Sequence, residues 1–343
     1  MKLGITGRPN AGRTTVFEAL TRGFSGLGDK NEDRIGTVPV PDERVDVLSE
    51  MYRPRKTIYA QVEYFLPGIP PGKETRKDPE AWRGVRDCDA LIHVVRNFGG
   101  YGMEPPDPLG DFKALDEELI LADLMSVEKR LERLELDRKR GKAGDETERS
   151  LLERCRDLLN AETPLRRDPE LADAPALRGY AFLSAKPMLV LFNNEDDDDA
   201  LPAGAEAIGE DLSSVIRAKL EHELAQMDAE EAEAFLEEFE ITASATDRVI
   251  RASYELLGLI SFFTVGDDEV RAWTIRRGTP ALDAAGTIHT DLKKGFIRAE
   301  VVSYDDLIAA GTYAEARKRG TVRLEGKTYE VQDGDVITVR FNV

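Results

Sequence analysis

Gly7-Arg8-Pro9-Asn10-Ala11-Gly12-Arg13-Thr14-Thr15 decides how the rest of this chain is read. The spacing is that of a phosphate loop, G-x-x-x-x-G-K-[ST], with Arg13 in the lysine position. Lys2-Leu3-Gly4-Ile5-Thr6 ahead of it reads as a short buried strand, and Thr14 to Leu20 behind it as the first turns of a helix. A strand, a glycine loop and a helix start are the parts of an anion cradle. Backbone N–H groups converge on the anion, and the helix N-terminus adds positive potential. Gly7, Asn10, Ala11, Gly12, Arg13, Thr14 and Thr15 are therefore the candidate phosphate-binding residues, and the Thr14 hydroxyl is the candidate Mg²⁺ ligand. Arg13 keeps the charge of lysine but replaces a compact ammonium with a wide planar fork. The exchange predicts retained phosphate binding and weaker turnover.

Working outward, 343 residues allow two or three domains. A hydrophobic content of 41% with 33% charged residues predicts a folded, soluble chain. No apolar run approaches the ~20 residues that cross a membrane. The N-terminus enters a strand without a signal-peptide pattern. Cys88 and Cys155 are too few for a disulfide framework. A cytoplasmic location without membrane contact is expected. The net charge of −19 argues against a basic coat for nucleic acid, so no DNA partner is expected. The charge is uneven. Residues 264–343 hold 12 Lys/Arg and 13 Asp/Glu, so nearly all the excess lies ahead of them. The acidic runs within Glu221–Glu240 and Asp196–Asp199 read as a solvated helix face and a loop.

Residues 1–112 read as alternating strands and helices. Ala60–Phe65 and Ala90–Val95 are strand-like, and their apolar runs suit a parallel sheet. Ile120, Leu124, Val127, Leu131 and Leu134 then recur at heptad spacing. After the break Gly141–Asp145, a second helix carries Leu151, Leu152, Cys155, Leu158 and Leu159 on one face. The pattern predicts an antiparallel helical hairpin inserted into the α/β domain. Its tip is basic. Residues 129–142 hold seven Lys/Arg against three acids. Arg133, Arg138, Lys139, Arg140 and Lys142 are candidate contacts for nucleic-acid phosphates; ordinary solvated helix charge is the alternative.

The α/β pattern resumes near residue 180 with the buried strand Met188–Phe192, which runs into Asn193-Asn194-Glu195-Asp196. Beyond Phe262 short strands and turns predict a small β-rich domain, with Asp333-Gly334-Asp335 a strong turn signal. His93, in an apolar strand, reads as a core histidine, and His289 as a hydrogen-bonding residue of the small domain. Trp273 fits either the core or an exposed patch with Arg271, Arg276 and Lys294.

Several blocks together resemble a known family. They are the phosphate loop, Val38–Arg44, Val127–Glu135, Glu269–Ile275, Ala285–Asp291, Lys294–Glu300 and Val331–Val336. In order and over nearly the full length, these look like the YchF subfamily of Obg-related P-loop NTPases. The resemblance implies an α/β fold. It comprises a P-loop G domain with a mostly parallel sheet (1–112 and 175–260), an inserted antiparallel coiled-coil hairpin (113–174), and a C-terminal TGS-like α+β domain (261–343). It also implies a purine nucleotide, ATP or GTP, bound with Mg²⁺, and a ribosome or rRNA partner. Asn193 and Asp196 fall at the base-reading N-x-x-D/E positions, where the family usually keeps Glu. A guanine could pair with the shorter acid, so base preference stays open. The chain departs from the family elsewhere. Phe65-Leu66-Pro67-Gly68 lacks the aspartate of a D-x-A-G block, the segment ahead of Val38 lacks the expected Thr block, and Arg217-Ala218-Lys219 keeps part of a Ser-Ala-Lys block. Weak or partner-dependent hydrolysis is the expectation. A non-catalytic scaffold that binds through the coiled-coil tip and the C-terminal domain is the alternative.

Overall fold

The structure is a computed structural model that describes residues 1–22, 32–68, 82–100, 102–141, 145–208, 213–227, 231, 234–235 and 244–342. Its main elements in chain order are β1 (Lys2–Gly7), α1 (Arg13–Leu20), β2 (Arg34–Pro39), α2 (Glu43–Tyr52), β3 (Lys56–Ile58), β4 (Gln61–Leu66) and β5 (Ala90–Asn97). Next come the long helix α3 (Pro108–Lys139), α4 (Glu146–Asn160), β6 (Met188–Asn194), β7 (Ser213–Ile216), α5 (Ala218–Leu224) and α6 (Ala245–Leu256). The chain closes with β8 (Leu259–Val265), β9 (Glu269–Arg276), α7 (Ala281–Ile288), α8 (Thr290–Lys294), β10 (Phe296–Ser303), α9 (Tyr304–Ala310), α10 (Tyr313–Arg319), β11 (Arg323–Glu325) and β12 (Asp335–Phe341).

The chain divides into two compact units. The first comprises residues 1–37 and 63–249. Its sheet has the order β2-β4-β1-β5-β6-β7, and β4, β1, β5, β6 and β7 pair in parallel. The apolar runs seen in the sequence fit this arrangement, since a sheet covered on both faces buries alternate residues of both parities. Residues 188–194 are buried throughout. Helix α3 serves two environments. Leu115 and Leu119 pack with Phe65, Leu91, Val95 and Phe192 over the sheet. Further along, Ile120 and Val127, with Leu124, Leu131 and Leu134 beside them, pack against Leu152, Cys155 and Leu159 of α4. The heptad seam is thus the seam of a helical hairpin. Asp107 and Asp145 cap its two helices through Gly110 N–H, and through Thr147 and Glu148 N–H. Both cysteines are free and buried.

Where the hairpin leaves the sheet, Asp123 is fully buried. It accepts hydrogen bonds from Leu183 N (3.0 Å), Ser184 N (2.7 Å) and Ser184 Oγ (2.8 Å), and it pairs with Arg86 at 3.3 Å. Burial raises its pKa against the lowering effect of these bonds.

The second unit takes in residues 38–62 and 250–343. Its sheet has the order β11-β10-β12-β8-β9-β3. The three-residue strand β3 pairs in parallel with β9, Lys56 opposite Glu269, and residues 38–62, which include β3, group with residues 250–343. Phe262, Ile275, Ala284, Phe296, Val301 and Ile337 form its core, with Trp273 packed at the edge. Trp273 stacks on Phe262 and lies under Arg271, 3.9 Å from guanidinium carbon to ring centroid, so it takes part in both core and surface. On the other face Glu300 is buried and accepts bonds from Tyr313, Arg317 and Arg340. His289 Nδ1 accepts from Asp291 N at the start of α8, a role inside the unit as expected.

Candidate functional site

The site is built at the carboxyl ends of β1, β5 and β6, where parallel α/β sheets bind ligands. The pairing sets Gly7 opposite Val94, and Asn193 and Asn194 opposite Arg96 and Asn97. The loop between β1 and α1 has the conformations its glycines allow. Gly7 has φ +152° and Gly12 φ +88°, and Asn10 sits in the left-handed region at φ +64°. A side chain at Gly7 would begin 2.3 Å from the Val94 carbonyl oxygen, and one at Gly12 would begin 2.4 Å from Asn193 Nδ2. Glycine is required at both positions by conformation and by space. Ala11 N–H donates to Arg8 O (3.2 Å), and Val16 N–H donates to Gly12 O (2.9 Å), which starts the helix. Gly12 is the N-cap of α1 and offers no side-chain oxygen, so the first N–H groups of the helix are left for a ligand.

Arg13 lies at the head of α1 and is half-buried. Burial lowers its pKa, and among the described residues it has no ion-pair or hydrogen-bond partner. A cation held partly out of water with no carboxylate beside it among the described residues is a candidate partner for an anion. Thr14 and Thr15 occupy the same first turn, also half-buried. Arg8, on the outer side of the loop, pairs with Asp111 at 3.4 Å. Among the described residues no cluster of three or more His, Cys, Asp or Glu could hold a metal ion alone. A hydroxyl in this turn suits Mg²⁺ held jointly with nucleotide phosphates, because Mg²⁺ needs few protein ligands when phosphates supply the rest.

The two candidate base-reading residues are brought to the same strand end but are used differently. Asn193 is buried at the end of β6. Its Nδ2 donates to Ala11 O (3.1 Å), and its Oδ1 accepts from Ala218 N (3.0 Å). It therefore fastens the phosphate loop to the loop that starts α5. Asp196 is exposed and pairs with Lys219 at 3.2 Å, which raises the lysine pKa. Arg217 donates to the Asp196 carbonyl at 3.4 Å. Arg217-Ala218-Lys219, read from sequence as a partial block, thus converges on Asn193 and Asp196. Asn194 is turned inward. It accepts from Asn97 Nδ2 (2.9 Å) and donates to Ala200 O (2.8 Å).

Two participants were not singled out from sequence. The Phe98 ring edge lies 3.9 Å from where a side chain on Gly12 would begin. Glu195 accepts from Gly99 N–H at 2.6 Å. Both follow ends of strands β5 and β6, and that position was their one available signal. At the hairpin tip Arg133, Arg138, Lys139 and Arg140 are exposed, and Lys142 lies outside the described residues. Lys139 pairs with Glu135 at 3.7 Å. Among the described residues Arg133, Arg138 and Arg140 have no carboxylate partner.

Comparison with known proteins gives a consistent result along the chain. Residues 259–342 match a family model named for the YchF-GTPase C-terminal region and described as a protein of unknown function. "Ribosome-binding ATPase YchF" of Bacillus subtilis (strain 168) is 39% identical over 363 residues, covering 99% of both chains. The Escherichia coli O157:H7 protein of that name is 36% identical over 362 residues, covering 100% of this chain and 99% of its own. The solved structure of the Schizosaccharomyces pombe YchF GTPase superposes with a TM-score of 0.84 at 30% identity, covering 99% of this chain and 97% of that one.

Proposed function

The chain belongs to the YchF family, and from that premise we propose that it binds a purine nucleoside triphosphate with Mg²⁺ and associates with the ribosome. The observation that carries the reading is the loop Gly7–Thr15, with Arg13 half-buried and without a partner among the described residues at the head of α1. Backbone N–H groups of residues 10–15 and the Arg13 guanidinium bind the phosphates. Thr14 holds Mg²⁺, which when bound neutralises phosphate charge. Asn193 keeps the loop in register with Ala218, and Asp196 meets the base edge. A carboxylate offers only acceptors, so it pairs with amino and imino donors of the purine. Arg133, Arg138, Lys139, Arg140 and Lys142 face ribosomal RNA phosphates. Hydrolysis is slow, because Arg13 replaces the compact ammonium and Leu66-Pro67-Gly68 carries no acid.

The test is calorimetric titration of nucleotide-free protein with ATP, GTP, ADP and GDP in the presence of Mg²⁺, paired with co-sedimentation with ribosomes. Micromolar binding and nucleotide-dependent pelleting are expected. The same two departures also favour a second reading, a scaffold without nucleotide control. On that reading pelleting is the same with and without nucleotide.

A further inference from the structure

Strand β4 ends in Leu66-Pro67-Gly68, with no acid of its own at the place where phosphate-loop NTPases hold Mg²⁺. A carboxylate is nevertheless there. Asp33, on the segment that leads into β2, accepts a hydrogen bond from Gly68 N–H at 2.9 Å. Two registers place this bond. In the parallel pair β1–β4, Gly4 lies opposite Phe65. Extending that register by three residues brings Gly68 level with Gly7, where the phosphate loop begins.

The second register is between β2 and α1. Arg34 pairs with Glu18 at 3.1 Å and covers the Phe17 ring, 5.1 Å from guanidinium carbon to ring centroid. Two residues further on, a side chain at Gly36 would begin 2.3 Å from Thr21 Cγ2. Strand and helix thus advance in the same direction. A strand rises about 3.3 Å per residue and a helix about 1.5 Å, so one step back along β2 corresponds to about two residues of α1. Asp33 therefore comes level with about Val16, at the end of the first turn of α1, one to two residues beyond Thr14 and Thr15.

Resting on the nucleotide reading above, we propose that Asp33 supplies the metal-supporting carboxylate that β4 lacks, completing with Thr14 the Mg²⁺ position of this site. The bond to Gly68 N–H uses one acceptor position of the carboxylate. An ionised carboxylate has about four, so the rest are available to the ion or its waters. The acid then comes from the neighbouring segment and not from the strand end, so it supports the ion from a different backbone position. Asp33 is a positioning residue for the metal, and its contribution appears in the Mg²⁺ dependence of binding.

The experiment is calorimetric titration of the full chain and of Asp33→Asn with GTP and ATP, each in excess Mg²⁺ and in EDTA. Asparagine retains an oxygen for Gly68 N–H, so the local fold is preserved, and matched thermal unfolding of the two proteins checks this. The expected result is a Mg²⁺ enhancement of triphosphate affinity in the wild type that falls about 10–100-fold in Asp33→Asn, with affinity in EDTA unchanged. An equal enhancement in both proteins overturns the proposal and leaves the nucleotide reading standing. So does tighter triphosphate binding by Asp33→Asn with and without Mg²⁺, which would make Asp33 a competitor of the phosphate. Absence of binding by the wild type overturns both.

Discussion

At the scale of single residues, Asn193 does more than a base-reading position requires. Its two bonds, to Ala11 O and from Ala218 N, are buried. Asn193→Ala removes both and leaves the Ala218 N–H without its acceptor. The expected loss is about 1–3 kcal/mol, read by urea denaturation, together with at least tenfold weaker nucleotide binding by calorimetry. Gly12→Ala should be worse for binding, since φ is +88° and the new methyl would meet Asn193 Nδ2 at 2.4 Å. Arg13 makes the complementary test. Arg13→Lys retains the cation and should retain binding, whereas Arg13→Ala should lose it. Equal affinities for the two variants would remove Arg13 from the site. The phosphate loop was legible in the sequence because its chemistry is local and its spacing fixed. The fastening role of Asn193 was not, because it depends on Ala11 and Ala218, far away along the chain. Asp33 was illegible for the same reason, since nothing near it in sequence points to Gly68.

At the scale of elements, a heptad repeat is a statement about one helix face, and α3 and α4 pack together along that face, with Ile120 and Val127 buried and Leu124, Leu131 and Leu134 partly buried. What anchors the hairpin was not readable. Asp123 lies in the same run of helix as Leu119 and Val127, yet it accepts three bonds from Leu183 and Ser184 and pairs with Arg86. Asp123→Ala leaves these donors and the guanidinium without their acceptor and should cost about 3–5 kcal/mol by chemical denaturation. A change below about 1 kcal/mol would mean that water replaces the carboxylate. In the other sheet Glu300 joins β10, β12 and α10. Burial alone would raise its pKa; the bonds from Arg340, Tyr313 and Arg317 outweigh burial and hold it below the ordinary 4.5. A depressed carboxylate adds stability above its unfolded pKa and loses it as pH falls through the folded value. The C-terminal unit should therefore weaken on acidification below about pH 4.5, and Glu300→Gln should flatten that acid limb in thermal unfolding.

At the scale of the whole molecule, the sequence pattern changes near residue 260, whereas the grouping of residues 38–62 with residues 250–343 has no signal in the sequence. Lys56–Ile58 is three residues long, too short to show alternation, and its partner β9 is more than two hundred residues away. Long-range pairing of that kind leaves no periodic trace. Charge distribution, in contrast, is read directly from sequence. The chain carries −19, yet the hairpin end presents Arg133, Arg138 and Arg140 without carboxylate partners among the described residues. A polyanion is attracted to basic patches of an otherwise acidic molecule, and on the proposed reading this tip is the patch that meets it. Reversing these three charges, Arg133→Glu with Arg138→Glu and Arg140→Glu, touches exposed side chains and should leave unfolding and nucleotide affinity unchanged. Co-sedimentation with ribosomes should fall at least tenfold at low salt. The dependence of binding on salt should also flatten, because a phosphate that no arginine neutralises keeps its counterions. If pelleting and its salt slope are unaltered in the triple variant, the hairpin end is ordinary solvated helix charge, and the ribosome is met elsewhere on the chain.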